Sequence, residues 1–198
     1  MLIDPQVLKD AGAVSRKHEK GQRIFMEGSE SFYYYQILSG EVNIVSANDE
    51  GTEFIQGKFS DGQCFGLAAV MLGEPFPSSA VAITDTVVIQ LLRASFLELL
   101  KKNTDIINEV CLLLARKLYK NALIGRGIAI DGPEKRILTL LEVLKREKEH
   151  LYTGKFKLPF SRQEVAGMIG LRVETVIRAI KKLEQKGCLE IIRGKVYY

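Results

Sequence analysis

Ser161 to Gly187 reads SRQEVAGMIGLRVETVIRAIKKLEQKG, and this stretch decides what the C-terminal part of the chain is. Ser161 followed by Glu164 is the pattern of a capping box: the serine hydroxyl accepts from the Glu164 amide while the glutamate reaches back to the serine amide. A helix therefore starts there. Val165, Ala166 and Ile169 form its inner face, Gly170 permits a sharp turn, and Leu171, Val176, Ala179, Ile180 and Leu183 line a second helix. Ala166 is small where two helix backbones must approach. Together these residues meet the steric demands of a DNA-binding helix-turn-helix, whose second helix lies in the major groove.

The outward residues near the start of the second helix are Arg172, Glu174, Thr175 and Arg178. Arginine can donate two bonds to guanine N7 and O6, and glutamate can accept from cytosine N4, so Glu174 and Arg178, one turn apart, suit a G·C pair or its neighbours. An intrahelical ion pair on a solvated face is the plainer alternative for the same two residues. Lys181, Lys182 and Lys186 extend the positive face toward phosphates. After Gly187, CLEIIRGKVYY reads as two short strands around Arg193–Gly194–Lys195, the hairpin wing of a winged helix.

Charge is distributed accordingly. From Lys155 to Tyr198 ten Lys/Arg stand against four Glu, a net +6, so within a total of +4 the preceding residues carry −2. A basic end on a neutral-to-acidic body suits a polyanion-binding module. The composition, 46% hydrophobic and 26% charged, is that of a globular chain and excludes a disordered one. No apolar run reaches the roughly 20 residues of a membrane helix, and the start MLIDPQVLKD has no signal-peptide pattern, so a cytoplasmic location and no membrane partner are expected. Cys64, Cys111 and Cys188 are few, far apart and without CxxC spacing, which fits reduced thiols. His18 and His150 stand alone in charged surroundings and read as solvated surface.

Upstream, Gly21 to Leu92 shows short β-branched and aromatic runs broken by glycine: Arg23–Phe25, Tyr33–Leu38, Glu41–Val45, Glu53–Phe59 and Val81–Leu92. Turns are marked at Glu27–Gly28, Ser39–Gly40, Asp49–Glu50–Gly51 and Asp61–Gly62. That rhythm predicts a β-barrel or sandwich. After Arg93 the pattern becomes helical, first around Phe96, Leu97, Leu99 and Leu100, then over a long proline-free segment from about Thr104 to Ile130. Its apolar set is Ile106, Ile107, Val110, Leu112, Leu113, Leu114, Leu118, Ala122 and Ile124. This is wider than a surface helix buries, so a two-helix dimer seam is expected, although no strict heptad runs through these residues. Asp131–Gly132–Pro133 ends the helix and forms a hinge, with glycine suited to a C-cap and proline to the next first turn. Glu134 to about His150 is amphipathic, with Ile137, Leu138, Leu140, Leu141 and Leu144 inside, and Tyr152–Thr153–Gly154 closes it.

Over nearly its whole length the chain resembles the CRP/FNR family of bacterial transcription regulators. The resemblance rests on the glycine-punctuated strands, the segment FGLAAVMLGEPFPSSAVAITD, the long central helix, and the Arg-Gln-Glu-Val-Ala…Gly…Val-Glu-Thr…Arg helix-turn-helix. It implies an α+β protein with an N-terminal effector-binding β-roll of jelly-roll type at 1–103, a dimerisation helix and hinge at 104–131, and a winged helix-turn-helix at 132–198. It also implies a homodimer on a near-palindromic double-stranded DNA site, RNA polymerase as a partner, and a small-molecule effector. Ser161, Arg162 and Gln163 match the family's phosphate-contacting positions, and Glu174 and Arg178 its base-reading pair. Val173 departs from the cyclic-AMP receptor pattern and resembles the FNR branch, with its TTGAT-like half-sites. Ile177 stands where that branch has a small polar residue.

The effector end departs further. Members that bind cyclic nucleotides carry a Gly-Glu-Leu element and an arginine followed by Ser or Thr, because a buried phosphate needs a charge-assisted partner. Here Leu67 follows Gly66, and the arginine position falls on Phe76 or Pro77, so cyclic AMP is not the expected ligand. Ser78, Ser79 and nearby amides remain to hold a less charged one. The family's N-terminal cysteine cluster and its haem-ligating histidine have no counterpart, so neither an iron–sulfur cluster nor haem is expected. Two alternatives remain: a DNA-binding regulator that has lost ligand sensing, and an enzyme with a cupin-like barrel. The second lacks histidine ligands between His18 and His150, so no enzymatic activity is expected.

Overall fold

The computed structural model describes residues 2–47, 53–147 and 154–198. The expected turn at Asp49–Glu50–Gly51, His150, and Tyr152–Thr153 of the second turn lie outside them. The chain divides into two compact units, up to Ala115 and from Arg116 onward, so the division falls inside the long helix.

The first unit opens with α1 (Pro5–Asp10), capped by Asp4, whose carboxylate accepts from the Gln6 amide at 2.7 Å, with proline in the first turn. The strands are β1 (Val14–His18), β2 (Arg23–Phe25), β3 (Tyr33–Ser39), β4 (Val42–Ala47), β5 (Glu53–Phe59), β6 (Cys64–Phe65), β7 (Ser79–Ala82) and β8 (Thr86–Leu92). They form two four-stranded antiparallel sheets, ordered β1-β8-β3-β6 and β2-β7-β4-β5. Tyr34, Ile37, Val88 and Ile89 from the first sheet and Phe25, Val42 and Ala80 from the second meet in one core. This is the expected β-roll, with differences. The run Val81–Leu92 is two strands in different sheets, because the chain crosses from one sheet to the other through Ile83–Asp85. Alternation of polar and apolar residues is blind to that crossing. The helices α1 and α2 (Leu67–Leu72) and the strands β1 and β6 were also missed; each is short, and β1 has four exposed residues of five.

A buried glutamine ties the N-terminal arm to the roll. Gln36 donates to the Ile3 carbonyl at 2.8 Å and accepts from the Ile3 amide and the Tyr34 hydroxyl, so its amide is satisfied on both sides. Helix α3 (Arg93–Lys102) then covers one end, sending Phe96 and Leu100 into the core, with the Phe96 ring stacked on Tyr34 at 4.3 Å.

Helix α4 has the predicted bounds, Thr104–Ile130. Ile106, Ile107, Val110, Leu113 and Leu114 pack on the first core and Ile124 on the second. Along α4 the exposed positions include Cys111, Ala115, Leu118, Ala122, Gly125 and Ala129. Their spacing alternates four and three residues without interruption, the repeat of a coiled-coil seam. It was hidden in the sequence because five of the six are small or sulfur-bearing rather than large and aliphatic. The segment after α4 also differs from expectation in one detail: Gly132 is not in the left-handed region, and Asp131 follows the helix end with its amide donating to the Gly127 carbonyl.

Candidate nucleic-acid interface

The second unit holds α5 (Pro133–Glu147), α6 (Arg162–Met168), α7 (Val173–Gln185), β9 (Glu190–Ile192) and β10 (Lys195–Tyr197). The expected capping box is formed on both sides, with Ser161 N to Glu164 Oε2 at 2.6 Å and Glu164 N to Ser161 Oγ at 3.2 Å. Such a cap is worth about 1 kcal/mol and fixes where α6 begins. Gly170, at φ +63°, makes the turn, and the Leu171 amide closes it on the Ala166 carbonyl at 2.9 Å. Val165, Ala166 and Ile169 face Val176, Ala179, Ile180 and Leu183, and both sets join Ile137, Leu140, Leu141 and Leu144 of α5 in one core. Burial of that face leaves the other side of α7 to solvent.

There Glu174, Arg178, Lys181 and Gln185 are all exposed and follow one another at helical spacing, with Ile177 beside them at 40% exposure. Arg172 is the N-cap residue and exposed, and Thr175 is half-buried. No ion pair joins Glu174 to Arg178 among the described salt bridges. Lys182 and Lys186 lie on a different side, where Glu134 at the start of α5 pairs with both, at 4.0 Å for Lys182 and closer for Lys186. The hydrogen bond from Lys186 holds the Glu134 carboxyl below its ordinary range, and the same bond pushes the Lys186 ammonium up. These two lysines are thus partly neutralised, unlike the uniform positive face read from sequence.

The wing is as expected, with β9 and β10 paired antiparallel and Ile192 opposite Lys195. Arg193 at φ +47° and Gly194 at φ +75° make the two-residue turn, and Lys195 belongs to the strand. A third strand-like segment was missed: Phe156 and Tyr198 exchange backbone bonds of 2.8 and 2.9 Å, and the Leu158 amide donates to the Val196 carbonyl. Pro159, directly after Leu158, obscured it. Between this segment, α6 and the wing lies a cleft of about 260 Å³ lined by Leu158, Phe160, Ser161, Arg162, Gly194, Lys195 and Val196. Ser161 and Arg162 therefore share a basic concavity with Lys195, a residue not singled out from sequence. Burial lowers the Arg162 guanidinium from its ordinary value, so an anionic neighbour would relieve a desolvated cation. Gln163 is exposed one residue further on.

At the other end, the residues named for an effector are mostly core. Gly66, at φ +68°, caps α2; Leu67 and Phe76 are buried, Pro77 is exposed, and Ser78 and Ser79 are buried. Ser78 Oγ donates to Gln56 Oε1 at 3.0 Å, and Ser79 Oγ accepts from the Glu27 amide at 3.0 Å. Phe76 stacks on Phe25 with centroids 3.7 Å apart and planes 8° off parallel. His18 is not solvated surface: it is half-buried, its Nε2 has no hydrogen-bond partner among the described residues, and desolvation lowers its pKa. Cys64 is buried while Cys111 and Cys188 are exposed thiols. No described helix is long and apolar enough to cross a membrane.

A two-sheet roll, a long helix and a winged helix-turn-helix with a polar exposed face define a class, the DNA-binding transcription regulators built on a cyclic-nucleotide-binding-like domain. The comparisons agree. Residues 15–103 match the cyclic nucleotide-binding domain family, and residues 135–197 match the Crp-like helix-turn-helix domain family. The transcriptional activator protein FnrA of Stutzerimonas stutzeri is 26% identical over 96% of this chain and 78% of that protein. The cAMP-activated global transcriptional regulator CRP of Haemophilus influenzae is 27% identical over 87% of this chain and 78% of its own. Among solved structures, the c-di-GMP responsive global regulator CLP of Xanthomonas campestris superposes with a TM-score of 0.73 at 21% identity, covering 98% of both chains. The chain belongs to the CRP/FNR family of transcription regulators.

Proposed function

We propose that this regulator binds a near-palindromic double-stranded DNA site as a homodimer in the cytoplasm, reading bases with Glu174 and Arg178 and contacting RNA polymerase when bound. The observation that carries the reading is the exposed face of α7, where a carboxylate and a guanidinium stand one turn apart over a wholly apolar opposite face. Ile177, exposed beside them, suits the methyl group of a thymine. Thr175 and Arg172 flank the pair. Ser161, Arg162 and Gln163 at the start of α6, Lys181 on α7 and Lys195 on the wing take phosphates, and Lys182 does so less because Glu134 competes for it. Residues 1–103 serve as the sensor, 104–131 as dimer helix and hinge, and 132–198 as the DNA-binding domain. The dimer seam is the four-and-three stripe on α4, whose small residues allow close approach of two backbones.

The effector is not cyclic AMP in this reading, since Leu67 and Pro77 supply no charge to pair with a cyclic phosphate. One observation favours the second reading, a regulator independent of ligand: the ring stack at Phe25 and Phe76 fills the interior next to Gly66. Selection of sites from random duplex DNA with purified protein tests the proposal. The expected product is a two-fold symmetric sequence with half-site centres about 10 base pairs, or a multiple of that, apart. Enrichment of no sequence, or of an isolated half-site only, would refute it.

A further inference from the structure

We propose that the ring of Phe76 is a built-in effector, which fills the interior seat of the β-roll in place of a small molecule and thereby keeps the protein competent to bind DNA with no ligand added. The inference rests on the second reading above, a DNA-binding regulator independent of ligand, in which residues 1–103 do not act as a sensor.

Three observations carry it. First, Phe76 is core and not lid: it is 2% exposed, lies flat on Phe25 at 3.7 Å, and has Tyr35 6.3 Å away, while Phe25 in turn reaches Tyr35 at 5.5 Å and Phe65 at 5.8 Å. Phe25 belongs to one sheet and Tyr35 and Phe65 to the other, so the Phe76 ring completes a cluster that joins both. Second, the backbone is shaped to receive the ring. A Cβ on Gly66 would come within 2.7 Å of Phe76 Cε1 and 3.3 Å of Phe25 Cζ, and the glycine sits at φ +68°, where side chains are rarely found. Gly66 and Phe76 are thus fitted to each other. Third, the segment carrying Phe76 is fastened. Its amide donates to the Ser29 carbonyl at 2.9 Å, its carbonyl accepts from the Gly28 amide at 2.8 Å, and the adjoining Ser78 and Ser79 hydroxyls are engaged by Gln56 and the Glu27 amide.

Two rings stacked at that spacing leave no gap for a third planar group. A charged ligand entering here would also meet Leu67 and aromatic faces in place of a cation. A ligand would have to displace the Phe76 ring from its stack on Phe25. The chemistry of the seat is that of a flat apolar ring, and the chain supplies one.

The test uses the full chain, stripped of any bound molecule by unfolding and refolding, with an operator from the site selection. The wild type is expected to bind with unchanged affinity after stripping, and benzene or toluene should not alter it. Phe76→Ala should bind about tenfold or more weakly, the scale of an ordinary allosteric coupling, and millimolar benzene or toluene should restore affinity to within about threefold by occupying the cavity. Its melting midpoint should fall and recover in parallel. A folded Phe76→Ala that binds as wild type overturns the proposal, as does a stripped wild type that binds only after a cell extract is added back. Should the alanine variant not fold even with benzene, Phe76→Leu decides: binding weakened by more than about threefold supports the built-in role, and binding within that margin overturns it. If stripped and unstripped wild type alike enrich no DNA sequence, the regulator reading itself falls and takes the inference with it.

Discussion

Glu134 at the first turn of α5 holds the ammonium group of Lys186, the residue that caps the end of α7, and reaches Lys182 in its last turn as well. A carboxylate at a helix start and lysines at a helix end are each favoured by the helix dipoles, so the pair is consistent with both elements. It has a consequence for DNA: of Lys181, Lys182 and Lys186, only Lys181 has no ion pair among the described residues and shares the face of Glu174 and Arg178. Lys181→Ala should weaken binding to all sequences more than Lys182→Ala does. Glu134→Gln, which removes the competing charge, should strengthen nonspecific binding and steepen the log–log salt dependence by up to about 0.9 for each phosphate gained. Because the Glu134 carboxyl is held below its ordinary 4.5, the pair persists above that pH and is lost as pH falls through the lowered value. The difference between wild type and Glu134→Gln should therefore vanish in acid. Equal losses for the two alanine variants in a salt titration would contradict this assignment.

The wing turn separates stability from binding. Arg193 adopts φ +47°, a conformation that costs a non-glycine residue about 1–2 kcal/mol. Arg193→Gly should raise the melting midpoint. If the strained arginine is retained for its contact with DNA, the same variant loses affinity while gaining stability. Lys195→Ala should leave the midpoint alone and lower the salt slope by about 0.9, because its neighbours in the cleft are Ser161 and Arg162.

Two leucines on α4 distinguish the proposed seam from the core. Leu118 is 72% exposed and sits on the four-and-three stripe, whereas Leu114 packs on the N-terminal core. Leu118→Glu should abolish self-association in sedimentation while leaving the monomer folded. Leu114→Glu should instead lower stability, because it sets a carboxylate against the core on a half-buried position. A monomeric wild type at micromolar concentration that still binds a palindrome tightly would remove the dimer from the proposal.

The helix-turn-helix was legible residue by residue because its signals are local: a cap at Ser161, a turn at Gly170, and an apolar face at helical spacing. The α4 bounds were legible for the same reason. What could not be read depends on partners distant in sequence. The break in the run Val81–Leu92 follows from β7 pairing with β4 and β2 while β8 pairs with β3 and β1. The neutralisation of Lys182 and Lys186 depends on Glu134, 52 positions before Lys186. Likewise Phe76 stands in sequence between two prolines at a candidate effector position, and only its stacking on Phe25 of β2 makes it core.

Burial of the aromatic cluster gives the protein an alkaline limit. Burial first, then the neighbouring Tyr33, pushes the Tyr35 phenol up to about 12 from 10.0. A folded value above the unfolded one means that the native state holds the proton more tightly. The contribution is complete below pH 10 and is lost as pH rises toward 12, at most about 2–3 kcal/mol for two units. Tyr35→Phe should flatten the fall in stability between pH 10 and 12 relative to wild type; an unchanged slope in chemical denaturation would place the titrating group elsewhere.

Base reading by Glu174 and Arg178 makes the sharpest demand. Both side chains are exposed on α7, neither is tied to the other by an ion pair among the described salt bridges, and the opposite face of the helix is committed to the core through Val176, Ala179, Ile180 and Leu183. Packing thus fixes which face of α7 is left exposed. A good bidentate contact discriminates against a wrong base by about 1–3 kcal/mol, whereas a phosphate contact carries no sequence information. Arg178→Ala should therefore relax preference at one symmetric G·C position in each half-site, leaving the rest of the site intact. Glu174→Ala should relax the same or an adjacent pair, and removal of its negative charge near phosphates should leave nonspecific affinity equal or higher. Ile177→Ser should lower preference for thymine next to that pair by losing contact with its methyl group, with little change in salt slope. Site selection with each purified variant measures all three. A variant that loses overall affinity while keeping wild-type preference at every position has a backbone contact at that residue, and its role as a base reader is then wrong.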